Sequence, residues 1–195
     1  MPNKQQLLEQ LYSKERNNPH SPLIIDKNTN LVFGEGNTNA TLMFVGEAPG
    51  KDEDIQKKTF VGRAGQLLNK TFAQCGIDRS EVFITNIVKA RPINNRTPTP
   101  QEIERCWPFL KTQIEIVNPR VIVTLGTCAL LAFTKKQMSI TKHHGFALPF
   151  EPFIIIPTFH PAFILRSANF YSDFVSDLHF ASEIAKNIDK NPYRN

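Results

Sequence analysis

Cysteine is scarce in this chain, and what there is does not pair. Cys75, Cys106 and Cys128 lie far apart, are odd in number and form no CxxC. That argues against a disulfide scaffold or a zinc site and fits reduced, mostly buried thiols in a cytoplasmic protein. Long apolar runs are also missing. No stretch approaches the roughly 20 residues of a membrane-spanning helix. The opening MPNKQQLLEQLYSKERNN has no apolar centre and is not a signal peptide. No internal repeat, low-complexity tract or interdomain linker is visible. The turn GEAPG (Gly46–Gly50) lacks the Gly-Lys-Ser/Thr ending of a phosphate loop and the spacing of a dinucleotide fingerprint.

What is present suits one domain over 1–195, since 195 residues bury a full core and leave little room for a second. Hydrophobic residues make up 41% and charged residues 21%, as in ordinary globular chains. The formal charge of +5 favours a polyanionic partner without requiring one. Fifteen phenylalanines mostly fill the core, with some left to stack on flat ligands.

Four short apolar runs stand out: TLMFVG (Thr41–Gly46), VFITNIV (Val82–Val88), RVIVTLG (Arg120–Gly126) and FIIIPTFHP (Phe153–Pro161). Continuous runs bounded by turn formers suit buried parallel strands. Helical patterns lie between and around them. AGQLLNKTFAQCG stops at Gly76, and TPTPQEIERCWPFLKTQIEIV opens on a Thr-Pro signal, with Pro108 expected to kink or break it. GTCALLAFT is a short helix, YSDFVSDLHFASEIAKNI an amphipathic one ending at Ile188, and Lys4–Arg16 another. KARPINNRTPTP (Lys89–Pro100) is too rich in Pro and Asn for regular structure. The alternation predicts an α/β fold, a three-layer αβα sandwich whose four-stranded, mainly parallel sheet carries helices on both faces. Ligands of such sheets sit beyond the carboxyl ends of the strands. Those ends carry GEAPG, Asn86, Gly126–Thr127 and FHPAF.

Taken together, VFGEG, LMFVGEAPGKDED, FVGRAGQLLN, ITNIVKARPINNRTPTPQEIERCWPFL, VIVTLG and TFHPAFILR resemble the family-four uracil-DNA glycosylases, in order and at family spacing from Val32 to Arg166. The resemblance implies an enzyme that flips uracil out of DNA, hydrolyses its N-glycosidic bond and leaves an abasic site. Such a pocket needs a stacking surface, a reader for the base edge and control of charge around the breaking bond. The family pattern places Phe60 as the stacking plate and Asn86 as the reader. One amide matches uracil's N3–H and O4 together, and cytosine reverses that pattern. It places His160 near O2, where a donor stabilises charge on the departing base, and Glu47 near the cation-like sugar. Glu53 falls near C5, where it would crowd the methyl of thymine. Gly46, Ala48 and Gly50 keep the turn low and permit close backbone approach. Each residue also has a plainer reading: Phe60 as a loop anchor, Asn86 as a turn cap, His160 as a core histidine, Glu47 as a turn brace and Glu53 as a solvated carboxylate. His20, His143, His144 and His179 read as surface or structural.

For DNA contacts, HPAFILR resembles the family's groove-entering loop, with Phe163 and Ile164 as wedges and Arg166 near phosphate. Arg63, Lys89, Arg91 and Arg96 border the same face. No lysine is placed as a Schiff-base nucleophile, so the expected enzyme is monofunctional, a monomer and free of soluble cofactors and metals. The chain departs from the family at its 4Fe–4S cluster. Of the four cysteine positions only Cys106 is filled; Ala90 stands in another, and SKERNNPHSPLIIDKNTN has no cysteine. One thiolate cannot hold a four-ligand cluster, so none is expected. Packing of Pro22, Leu23, Ile24 and Ile25, with Trp107 nearby, is expected in its place. Open alternatives are a glycosylase with a broader range (hypoxanthine, xanthine), a non-catalytic binder of damaged DNA, and a nucleotide-binding α/β protein that uses GEAPG for phosphate.

Overall fold

The four apolar runs become four adjacent parallel strands in the computed structural model, which describes residues 1–187. They are β2 (Leu42–Gly46), β3 (Phe83–Asn86), β4 (Val121–Leu125) and β6 (Phe153–Thr158). Two short strands extend the sheet antiparallel at its edges, β1 (Glu35–Gly36) beside β3 and β5 (Leu148–Phe150) beside β6. The sheet among the described residues therefore has six strands, in the order β1-β3-β2-β4-β6-β5, rather than the four expected. Two-residue β1 has too little sequence to show a period. β5 contains Pro149, which an edge strand tolerates because its N–H need not join a ladder.

The helices are α1 (Lys4–Arg16), α2 (Lys51–Gln56), α3 (Arg63–Gln74), α4 (Pro100–Val117), α5 (Thr127–Thr134), α6 (Ile140–His143), α7 (Pro161–Ile164) and α8 (Tyr171–Asn187). Ile188, the last residue of the expected tail helix, lies outside the described residues. Strand side chains alternate between two cores. Met43, Val45, Phe83, Ile122 and Ile155 meet α1, α4 and α5 through residues such as Leu8, Leu110 and Leu130. Leu42, Phe44, Ile84, Val123 and Ile156 meet α3 and α8 through Leu68, Phe72, Phe174 and Leu178. Burial on both faces is why the runs are continuously apolar.

Helix α4 begins on a capping box. Thr99 accepts from the Glu102 N–H while the Glu102 carboxylate accepts from the Thr99 N–H, with Pro100 in the first turn. Pro108 does not break it. That residue is exposed, so the carbonyl it leaves without a helical donor lies on the watered side. The loop 89–100 is largely irregular, as expected; its one tight turn, Ile93–Asn95, holds Asn94 and Asn95 in the left-handed region at φ 55° and 54°.

The N-terminal segment is strapped beside α4. Tyr12 stacks on Phe33 at 4.7 Å, and Phe33 meets Phe109 at 5.5 Å. The Gln113 amide donates to the Tyr12 hydroxyl and to the Phe33 carbonyl, both at 2.8 Å. The Val32 N–H donates to the Lys89 carbonyl at 2.7 Å, and Leu31 pairs with Ala90. Leu23 is fully buried here and Ile25 packs partly, whereas Pro22 is exposed. Trp107 turns toward α5 and meets Phe133 edge-on at 5.1 Å. The strap thus relies on Leu23 and the aromatic trio more than on the Pro22–Ile25 run expected to fill this place.

Candidate active site

The ends of β2, β3 and β6 open onto a cavity of about 520 Å³, a size suited to a small flat ligand. Glu47, Ala48, Gly50, Glu53, Phe60, Asn86 and His160 all line it, although they are spread over more than a hundred residues of chain. Pro49, Ala64, Pro92, Asn95, Thr97 and Ala162 complete the wall. These carried no chemical signal in the sequence, and only neighbourhood to the motifs pointed to them. A second hollow of about 640 Å³ adjoins the first and shares Glu47, Thr97, His160 and Phe163 with it.

Asn86 ends β3 and is 1% exposed, yet its side-chain Oδ1 has no hydrogen-bond partner. A buried, unpaired carbonyl costs roughly 1–3 kcal/mol. A polar atom kept in that state at the wall of a cavity is poised for a ligand's N–H.

Phe60 lines the same cavity, 6% exposed, in the left-handed backbone region at φ 50°. A bulky residue there is strained by about 1–2 kcal/mol. Two features hold it. Glu53 Oε1 accepts from the Val61 and Gly62 N–H groups at 2.9 and 2.8 Å. Gly65 lets the first turn of α3 press on the Phe60 peptide, for a Cβ there would lie 2.7 Å from Phe60 Cα and closer still to its carbonyl. Gly46 lies between Phe60 and Asn86: a Cβ on it would collide with Asn86 Oδ1 and lie 2.6 Å from Phe60 Cζ. Glu53 therefore lines the cavity but commits an oxygen to bracing the Phe60 loop, which is more than the solvated or methyl-crowding carboxylate expected.

His160 caps α7, and its Nδ1 accepts from the Ala162 N–H at 3.2 Å. An accepting Nδ1 leaves the proton on Nε2. Burial, with the Arg166 charge adding to it, pushes the imidazole down to about 4, so it is a neutral donor at physiological pH. Its ring lies 5.9 Å from that of Phe60, tilted by 36°. Glu47 is half-buried, and burial raises its carboxyl above the usual range while the Cys128 thiol beside it pulls partly back. That thiol is itself pushed up to about 12 by burial and the Glu47 charge.

The basic residues divide. Arg166 and Arg96 line the cavity, but Arg96 is clamped to Glu102 by bonds of 2.6 and 2.8 Å. Arg63 is exposed at the start of α3, outside the cavity lining, and Arg91 is half-buried with Nε bonded to Asn95 at 2.7 Å. Lys89 is not a surface contact at all: it is 0% exposed, so it cannot reach DNA. Ile164 is also corrected. At 3% exposed it packs into the core against α3 and α8, and the apolar residue the loop presents is Leu165, at 42%. Phe163 stays half-buried at the rim, stacked on Phe159 at 5.6 Å. A four-residue helix puts neighbours on opposite sides, which the run FIL alone does not reveal. Of the other histidines, His144 is structural, bonded to Asp177 at 3.0 Å, and His20 and His179 are exposed.

Ala90 and Cys106 are both fully buried behind the site, and burial raises the Cys106 thiol. Cys75 belongs to the opposite core, and Cys128 faces Glu47. No group of three or more His, Cys, Asp or Glu among the described residues is placed to hold a metal. The donor set does not fit a four-cysteine cluster.

A family model described as the uracil DNA glycosylase superfamily matches residues 33–179. The chain belongs to the uracil DNA glycosylase superfamily. Within it, the chain is 46% identical over 166 residues to a type-4 uracil-DNA glycosylase of Thermotoga maritima, covering 84% of this chain and 86% of that protein. It is 40% identical over 164 residues to a type-4 uracil-DNA glycosylase of Archaeoglobus fulgidus, covering 80% and 82%. It is also 34% identical over 152 residues to a DNA polymerase of Bacillus phage SP01, covering 77% of this chain but 16% of the polymerase. The superfamily unit is thus also found as a small part of a much longer chain.

Proposed function

We propose that the protein is a monofunctional uracil-DNA glycosylase. The observation that carries this reading is the orphaned, buried Oδ1 of Asn86 in the wall of a cavity that Phe60 also lines. Uracil turned out of the stack enters this cavity. Its ring stacks on Phe60, a contact worth roughly 1–3 kcal/mol. Oδ1 accepts from N3–H, and the amide N–H₂ donates to O4. Cytosine carries no N3–H and presents a donor at C4, so it leaves the amide mispaired.

His160 Nε2–H donates toward O2 of the base. As the C1′–N1 bond breaks, both its electrons pass to the base, and a donor already aimed at O2 stabilises that charge. A neutral imidazole does this without surrendering its proton. Glu47 lies by the sugar side, where its carboxylate favours the developing cation and orients water toward C1′. Water supplies hydroxyl to C1′ and a proton to uracil, leaving an abasic site. No lysine among the described residues lines the base cavity, in keeping with hydrolysis without a Schiff base. Glu53 acts by fixing Phe60. Leu165 and Phe163 fill the vacated stack, and Arg166, with Arg63 and Arg91 outside the cavity, meets phosphates. The site uses no iron–sulfur cluster. The protein acts on DNA as a monomer in the cytoplasm; no helix among the described residues is long and apolar enough to cross a membrane.

The test is a panel of oligonucleotides carrying U, T, C, hypoxanthine or xanthine, incubated with wild type, Asn86→Ala and His160→Ala. Uracil release by wild type, lost in both variants, is expected. Uracil left intact by wild type sinks the reading, and salt-sensitive binding without turnover identifies a binder instead. Release of hypoxanthine or xanthine widens the base range.

A further inference from the structure

Lys89 has no part in the scheme above, yet its place is specific. It lies three residues beyond Asn86 and is 0% exposed. Its Nζ donates to the Asn86 carbonyl at 2.5 Å and to Thr85 Oγ1 at 2.6 Å. It also stands 5.5 Å from the centre of the Phe109 ring. Among the described residues no carboxylate pairs with it, and the charge that acts on it is that of the Cys106 thiol. A buried amine without an acid partner is costly, and a methionine would fill similar space at no such cost. The fold keeps the amine where it touches the main chain of the base reader.

We propose that Lys89 is a positioning residue: by holding the Asn86 carbonyl it fixes the last peptide of β3, and so the direction in which the Asn86 amide faces the base. The inference rests on the glycosylase reading for its kinetic consequence, though not for the coupling itself. The side chain and the carbonyl of Asn86 share one Cα. Displacement of this peptide shifts the Cα itself, and the Cα–Cβ bond that aims the amide turns with it. β3 ends at Asn86, so the ladder restrains this peptide on one flank and Lys89 grips it on the other. Burial lowers the amine to about 7, but a neutral amine keeps two N–H donors for its two acceptors, so the grip does not depend on charge.

The test compares Lys89→Met with Tyr12→Phe, which breaks the Gln113 bond in the same core without touching Asn86. In Lys89→Met, the inhibition constant of free uracil should rise and kcat should fall, each by about tenfold or more. Tyr12→Phe should lower the melting temperature and leave the uracil constant within about twofold. Lys89→Met matching wild type in both measurements overturns the proposal, as does an equal rise in Tyr12→Phe. If Lys89→Met does not fold, wild type labelled with ¹⁵N-lysine carries the test. The Lys89 Nζ signal should move on saturation with uracil, and an unmoved signal overturns the proposal. If wild type releases no uracil, the functional reading fails separately. The Asn86 side-chain amide resonance, compared between wild type and Lys89→Met, then decides: a shift supports the coupling and no shift overturns it.

Discussion

Replacing Gly46 by alanine places a methyl between Asn86 and Phe60. The new Cβ would overlap Asn86 Oδ1 and stand 2.6 Å from Phe60 Cζ. Ordinary contact needs about 3.5–4 Å, so the ring must retreat by roughly 1 Å. It has little freedom to do so, because Glu53 pins Val61 and Gly62 and the α3 turn at Gly65 presses on the Phe60 peptide. Asn86 is 1% exposed and its carbonyl is tied to Lys89. A misplacement of about 1 Å in a reacting geometry typically costs about hundredfold, or about 2.7 kcal/mol of barrier. Overpacking should also lower stability by about 1–3 kcal/mol. The assay is single-turnover release of uracil from an end-labelled oligonucleotide, followed by alkaline cleavage, well below the melting temperature of the variant. Binding to an unmodified oligonucleotide serves as control and should change by less than about threefold, since Gly46 lies behind the DNA-facing surface. A rate within about threefold of wild type would refute the idea that Phe60 and Asn86 hold the base together.

The drop of His160 from 6.5 to about 4 means that the unfolded chain takes up a proton first as pH falls; wild type should lose about 3 kcal/mol relative to His160→Asn between pH 6.5 and 4, measured by urea unfolding. The lowered amine of Lys89 works in the alkaline range: from pH 7 to 10 wild type should gain on Lys89→Met by about 1 kcal/mol per pH unit. The rate should rise with pH along an acid limb centred above the ordinary 4.5 of glutamate, and Glu47→Gln should flatten that limb. Glu102, held down to about 2 chiefly by Arg96, caps α4; Glu102→Gln should cost about 1–2 kcal/mol in thermal unfolding and, by freeing Arg96, steepen the salt dependence of DNA binding. Purified protein should be colourless, and a broad band near 400 nm with stoichiometric iron would contradict the cluster-free reading.

Much of the framework was legible because its signals are local. Four continuous apolar runs marked the four parallel strands, and Thr99-Pro100 with Glu102 marked the start of α4. The rule that ligands gather at strand ends, joined to the family motifs, brought Glu47, Phe60, Asn86 and His160 to one cavity. What was not legible depends on which way a residue faces. Lys89 and Arg91 look alike in VKARP, but one points into the core and the other toward solvent. Ile164 and Leu165 are interchangeable in composition, and one turn of helix buries the first and exposes the second. Edge strands of two and three residues hold too few positions for any period to register. The hand-over of one Glu53 oxygen to two backbone N–H groups depends on a loop conformation that residue types do not specify.

The strand order sets a timetable for the growing chain. Gly46, Phe60 and Asn86 are made early, whereas β6, which delivers His160, is the last of the four parallel strands to be synthesised. β6 joins the sheet along β4 and pairs with β5 on its other side. A nascent chain that stops short of Phe153 holds Phe60 and Asn86 but lacks His160. On the proposed mechanism it lacks the donor to O2 of the base, so base release waits for β6.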